Sequence, residues 1–351
     1  MTLRIGLIGA GFIASVYAHA ARQVPDIQIT AVASPHSAHT FAQRWRIPAT
    51  YHDWRQLIAS APIDAVAIAT PNDLHHPITL AAAAAGKHIL CEKPLAPGLP
   101  AARAMVQACE SARVHLVCAE NLLFAPMYHR LAALLQQDTV GQAYLVRQVQ
   151  AHGGPYADWF WDIDRTGGGA LIDMGCHGIA TVCTLLAAWP VAVTATLSRF
   201  LHADRTPADD HAIVHLRFPQ GALATIEASW ATPGGADQLE VTGPRGRLLA
   251  NLDRGPIIER YREPSPGEPT SPGWQHIMYE EAWQFGFPQQ LQHFVDVVAR
   301  RAEPRFPGTA ALRVLEIVCA AYESARQGAA EIPLPFTSQL PRAIDHWRAT
   351  T

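Results

Sequence analysis

Over the first 120 residues, short apolar runs alternate with longer segments rich in Ala, Leu, Gln and Arg. This is the rhythm of a parallel sheet covered by helices on both faces. The apolar runs predict strands at 4–8, 27–33, 65–69, 88–91 and 114–118. Good helix formers at 14–23, 36–45, 74–85 and 99–112 lie between them. The pattern predicts a doubly wound α/β domain over residues 1–121.

Beyond it the period changes. A helix at 125–136, a strand at 143–150 and a helix at 170–188 are followed by strand patterns at 191–201, 212–218, 222–229, 237–242 and 247–250. Pro219-Gln220-Gly221, Pro233-Gly234-Gly235 and Gly243-Pro244 separate them as turns. Such a meander predicts a large, mainly antiparallel sheet. Residues 262–273 hold four prolines in twelve and read as a mobile surface loop. Helices at 279–302 and 309–327 close the chain. The expectation is an α+β domain over residues 122–351.

A chain of 351 residues suits two domains, and 49% hydrophobic with 16% charged residues is a globular balance. Lys and Arg number 27 against 30 Asp and Glu, a net charge of −3 with no basic block, so nucleic acid is not an expected partner. Six cysteines without a CxxC predict free thiols in a reducing compartment, here the cytoplasm. The first residues lack the apolar core of a signal peptide, so export is not expected. Residues 178–198 carry no formal charge over 21 positions, the length of a membrane span. Trp189-Pro190 interrupts them and β-branched residues follow, which predicts the end of a buried helix and then a strand, with no membrane partner.

Several motifs carry chemistry. Gly9-Ala10-Gly11-Phe12-Ile13-Ala14 follows the first strand and opens the first helix. In that context GxGxxG/A is a dinucleotide fingerprint. The first glycine permits the turn, the second lets a pyrophosphate approach, and the helix N-terminus offers amide donors. The acid usual at the end of the second strand of an NAD-selective fold is absent, and Ser34-Pro35-His36 stands in its place. Ser34 suits either a 2′-hydroxyl or a 2′-phosphate, with Arg44 or His36 as a source of positive charge, so the choice between NAD and NADP stays open. Thr70-Pro71-Asn72 and Cys91-Glu92-Lys93-Pro94 follow the third and fourth strands at the carboxyl edge, where such sheets bind ligands. A lysine there fixes or ionises a substrate hydroxyl, and Glu92 holds a ribose or the lysine. An isolated Glu-Lys pair is otherwise an ordinary solvated surface.

In the second half, Gly167-Gly168-Gly169 leads into Asp173-Met174-Gly175-Cys176-His177. An acid and a histidine four apart share one face of a helix. Histidine exchanges protons near neutral pH, and the acid orients it or binds substrate. A satisfied core histidine is the plain alternative; no third and fourth ligand appear at metal spacing, so no metal is expected. Upstream, His152, Trp159, Trp161 and Arg165 suit a sugar or polyol, which stacks on aromatic rings and needs polar partners. Packing in the core or at an interface would use the same tryptophans.

Together these motifs resemble the Gfo/Idh/MocA family of oxidoreductases across essentially the whole chain. The resemblance rests on GAGFIA, ATPN with His75 after it, CEKP, the AEN segment ending at Asn121, and DxGxH at Asp173 to His177. It implies a Rossmann domain followed by an open-faced sheet domain, and NAD or NADP bound through Gly9, Gly11, Phe12, Ile13, Ser34, Thr70, Asn72, His75, Glu92, Lys93 and Asn121. Lys93, Asp173 and His177 are the implied catalytic set, acting on a hydroxyl or carbonyl of a sugar, cyclitol or related polyol. It further implies a homodimer or homotetramer formed through the C-terminal sheet. A non-catalytic dinucleotide sensor and a redox-assisted glycoside-cleaving enzyme are the alternatives within the same fold.

Overall fold

The computed structural model describes residues 2–251, 257–262, 273–278 and 285–348. Most of the predicted loop at 262–273 and the start of the predicted helix at 279 lie outside the described residues.

The first half runs β1 (Leu3–Ile8), α1 (Phe12–Ala20), β2 (Ile27–Ala33), α2 (Ala38–Trp45), β3 (Ala49–Tyr51), α3 (Trp54–Ser60), β4 (Ala65–Ile68), α4 (His75–Ala84), β5 (His88–Cys91), α5 (Leu99–Ala112) and β6 (Leu116–Cys118). All six strands are parallel in the order β3-β2-β1-β4-β5-β6. The order reverses between β1 and β4, whose last residues Ile8 and Ile68 lie in register. The carboxyl ends there form the switch point at which such sheets bind ligands. Central strands such as β4 (AVAI) are buried throughout, which is why they read as continuous apolar runs.

Two elements of this half escape the sequence pattern. β3 is three residues at the sheet edge, too short to show a period. α3 had one legible signal, its N-cap Asp53, whose carboxylate accepts the Arg55 amide at 2.9 Å.

The chain continues through α6 (Pro126–Gln136), β7 (Leu145–Ala151), α7 (Ile163–Thr166), α8 (Cys176–Leu185), β8 (Ala192–Ser198), β9 (His211–Arg217), β10 (Leu223–Ser229), β11 (Ala236–Gly243), β12 (Gly246–Asn251), β13 (Ile257–Arg262), β14 (Gly273–Met278), α9 (Phe287–Val298), α10 (Gly308–Arg326), β15 (Ile332–Pro333) and α11 (Asp345–Arg348). Nine strands form one sheet in the order β14-β13-β12-β11-β7-β10-β9-β8-β15. Only the β7–β10 pair is parallel. β9 alternates strictly, with Ala212, Val214 and Leu216 buried and His215 and Arg217 outward, while α8 covers the inner face where Gly178 approaches Ile226. The apolar run at 178–198 is the end of buried α8 followed by β8, as its proline and β-branched residues predict. Among the described residues, the stretch Ile163–Leu185 is long and apolar enough to cross a membrane, yet its apolar window is 83% buried, as in a core helix.

The chain divides into two compact units. One comprises Met1–Asn121, Asp164–Gly167 and Gly286–Leu315, and the other Leu122–Ile163, Gly168–Phe285 and Glu316–Thr351. In the first unit α9 packs on α1, with Phe287 edge-on to Tyr17 at 5.9 Å and Leu291, Phe294 and Val295 buried in the core beneath the sheet.

Candidate active site

The first unit presents the switch-point edge. Gly9 follows β1 with φ +108°, and a Cβ on it would lie 2.1 Å from the Ala69 carbonyl oxygen, so only glycine fits this turn. Gly11 is the N-cap of α1 and provides no side-chain cap; a Cβ there would meet nothing within 4 Å. The first turn of α1 therefore has no side-chain cap, and open space adjoins Gly11 beside Phe12, which is 80% exposed, while Ile13 packs inward. This donor set fits a pyrophosphate.

The loops after β4 and β5 are joined by His75. Its fully buried ring places Nε2 3.1 Å from the Thr70 carbonyl oxygen and Nδ1 2.9 Å from that of Pro94. Burial pulls its pKa down against the raising effect of these carbonyls, and the ring is enclosed between the two loops. Asn72 is also buried and donates to the Thr166 carbonyl at 2.9 Å, and Arg165 Nε lies 3.7 Å from Asp73 in the same unit. Glu92 accepts a 2.5 Å hydrogen bond from the Tyr17 hydroxyl. Burial raises its carboxyl to about 7 against the opposing effects of Tyr17 and Lys93. Lys93 follows directly at the strand's carboxyl edge and is half-buried. Asn121 opens a short helical turn; with the Gln290 carboxamide oriented to suit, its oxygen accepts the amides of Glu120 and Asn121.

The second unit holds the acid and the histidine, and the glycine triplet explains how. A Cβ on Gly169 would sit 1.8 Å from the Asp209 backbone oxygen. That close approach lets the fully buried Asp209 carboxylate accept the amides of Gly169 (3.2 Å) and Leu171 (2.7 Å) and the Tyr322 hydroxyl (2.6 Å). Burial lifts the Asp209 carboxyl to about 6 despite these donors. Anchored this way, the chain enters a wide π-helical turn, Leu171–Gly175, before α8 begins at Cys176. Asp173 stands in the wide turn rather than in regular α-helix, and His177 in the first turn of α8; both are under a tenth exposed.

Asp173 has neighbours that orient it. The Trp230 indole N–H donates to Oδ2 at 3.0 Å, and His152 Nε2 lies 3.9 Å from the same oxygen. The Gly154 amide donates to His152 Nδ1, which places the ring proton on Nε2, toward Asp173. An aromatic wall continues from there. Trp230 meets Trp161 edge-on at 5.7 Å and Phe160 at 6.3 Å, and Trp159 stacks on Phe160. The Arg205 guanidinium lies 3.9 Å over the Trp161 ring. The buried Asp210 carboxylate accepts the amides of Phe200, Leu201 and His202, and the His202 ring reaches the Trp230 carbonyl at 3.0 Å. His152 and Trp161 are thus gathered around Asp173 and Trp230, whereas Arg165 pairs with Asp73 in the other unit.

Asp209, Asp210, Trp230, Tyr322 and Tyr17 are the residues that sequence reasoning missed. Two adjacent acids before an apolar strand, with no cation beside them, were a signal for buried caps. Trp230, at the end of a strand, had no distinguishing neighbour.

Comparisons with known proteins agree with this architecture. Residues 3–120 match the oxidoreductase family with an NAD-binding Rossmann fold, and residues 128–249 match the GFO/IDH/MocA C-terminal domain. The inositol 2-dehydrogenase of Rhizobium meliloti (strain 1021) is 29% identical over 330 residues, covering 92% of this chain and 97% of that protein. The levoglucosan dehydrogenase of Pseudarthrobacter phenanthrenivorans is 28% identical over 290 residues, 72% of this chain and 74% of that protein. The structure of GenD2 from gentamicin A biosynthesis, in complex with NAD, superposes with a TM-score of 0.83 at 28% identity, covering 95% of this chain and 96% of that one. The chain belongs to the GFO/IDH/MocA family of oxidoreductases.

Proposed function

We propose that this protein is an NAD(P)-dependent dehydrogenase or reductase acting on a hydroxyl or carbonyl of a sugar, cyclitol or related polyol. The observation that carries the reading is Asp173. It is a buried carboxylate held by the Trp230 indole and faced by His152, beside a wall of tryptophans and one helical turn before His177. Aromatic faces next to convergent polar groups are what a polyhydroxylated ring requires. The names of the inositol and levoglucosan dehydrogenases support the same substrate class.

When bound, the nicotinamide supplies the hydride acceptor or donor. In the oxidative direction His177 takes the hydroxyl proton, Asp173 orients His177 and the substrate, and the Lys93 ammonium stabilises the developing alkoxide. His152, Trp159, Trp161 and Arg165 are assigned to substrate. The Gly9–Ile13 turn, Ser34, Thr70, Asn72, His75, Glu92 and Asn121 are assigned to the nucleotide, His75 through the loops it joins. Replacing His177 with Ala should lower kcat by roughly 10²- to 10⁴-fold, the usual value of a positioned proton acceptor, while nucleotide affinity stays unchanged. Turnover equal to that of the native protein would rule the assignment out.

The proposal extends to a cytoplasmic homodimer or homotetramer assembled through the outer face of the nine-stranded sheet. The six cysteines are buried and in no disulfide, which suits a reducing compartment, and α8 covers the inner face of that sheet. Sedimentation velocity tests the assembly, and a monomer at micromolar concentration contradicts it.

A further inference from the structure

The loop after β2 departs from the NAD-selective pattern in a way that decides which dinucleotide the chain takes. In an NAD-selective fold a carboxylate here accepts the ribose 2′-hydroxyl and repels a 2′-phosphate. No Asp or Glu occurs between Ile27 and His52. Ser34 Oγ instead lies 3.0 Å from Ser37 Oγ, both half-buried. Two hydroxyls that share one hydrogen bond retain a second O–H to donate outward. Ser37 is the N-cap of α2, yet its hydroxyl caps no helix amide.

The neighbouring strand completes the loop. The Ser34 amide donates to the Tyr51 carbonyl at 3.1 Å, and His52 Nδ1 donates to the Pro35 carbonyl at 2.9 Å, so an imidazole is fastened against the loop. His36 is exposed on the loop itself. The acid following His52, Asp53, is committed elsewhere: its Oδ1 accepts the Arg55 amide and pairs with the Arg55 guanidinium at 3.3 Å. Arg44, the cation that the sequence suggested, lies over the Trp45 ring at 5.5 Å in the last turn of α2, the far end of that helix from Ser34. Among the described residues, the groups at the loop are therefore two hydroxyls and two imidazoles, with no carboxylate among them.

We propose that this loop is a 2′-phosphate pocket and that the chain binds NADP(H) in preference to NAD(H). The Ser34–Ser37 pair donates its remaining O–H to the phosphate, and the His36 and His52 imidazoles flank it where an NAD-selective fold holds a carboxylate. The proposal rests on the dinucleotide reading of the Gly9–Ala14 turn and adds the nucleotide's identity to it. Isothermal titration of the purified chain with NADP⁺, NAD⁺, adenosine 2′,5′-bisphosphate and AMP at one salt concentration tests it. The expected result is that NADP⁺ binds at least about tenfold more tightly than NAD⁺, with a similar ratio for the two fragments. Ser34→Asp should invert the order, and Ser37→Ala should weaken NADP⁺ while sparing NAD⁺. Equal or tighter binding of NAD⁺ overturns the proposal and leaves the dinucleotide reading standing. Binding of neither dinucleotide overturns both.

Discussion

Burial holds the Glu92 carboxyl up at about 7, although Tyr17 donates to it and Lys93 follows it. Because the folded value lies above the unfolded 4.5, the folded chain keeps a proton that the unfolded chain has released. The stability associated with that proton is fully present below about pH 4.5 and is lost as pH rises through about 7. The loss amounts to about 3 kcal/mol, because each tenfold difference in proton affinity between the folded and unfolded chain is worth about 1.4 kcal/mol. Glu92→Gln removes this dependence. Urea midpoints of native and variant protein should diverge in their pH response between about pH 5 and pH 8, the native protein losing the more stability as pH rises. Asp209, also raised, is common to both proteins and cancels in the difference. Parallel pH profiles would show that Glu92 is not held neutral. The residues proposed for catalysis were legible in the sequence because CEKP and DxGxH place them in order. Their partners were not, since Tyr17 lies 75 positions from Glu92 and Trp230 lies 57 from Asp173, and nothing local marks such pairs.

At the scale of elements, period and punctuation carried most of the fold. β2, β5 and α5 begin and end where alternating composition places them, because a buried parallel strand is a continuous apolar run. β3 and α3 were lost because three edge residues and two helical turns are too short for a period to emerge. The nine-stranded sheet extends past the predicted meander through β13 and β14, which flank a segment too rich in proline and glycine to read as a hairpin. The turn carrying Asp173 was read as ordinary helix, and only the clamp from Asp209 and Tyr322 on the glycine triplet reveals why it widens. That clamp makes a sharp expectation. Gly169→Ala drives a Cβ against the backbone oxygen of Asp209, which cannot rotate away as a side chain could. The variant should lose at least about 3 kcal/mol of stability. A urea midpoint equal to that of the native protein would show that the turn yields freely and that the glycine is incidental.

For the whole molecule, two units of different architecture divide the labour that family membership implies. The first carries the nucleotide fingerprint on a parallel sheet, and the second carries Asp173, His177 and an aromatic wall on a mainly antiparallel one. Substrate identity was not legible in the sequence because it depends on which hydroxyls meet His152, Trp161 and their neighbours, a matter of loop geometry and not of motif. The central claim is that a hydride passes directly between substrate carbon and nicotinamide. It is tested most directly with a polyol, found active by screening, that carries deuterium on the carbinol carbon. Mass spectrometry of the nucleotide after turnover should find the label in the reduced nicotinamide, with that product formed at least about a hundredfold more slowly by the His177→Ala protein. Release of the label to solvent, or consumption of substrate with no label in the nucleotide, would contradict the account.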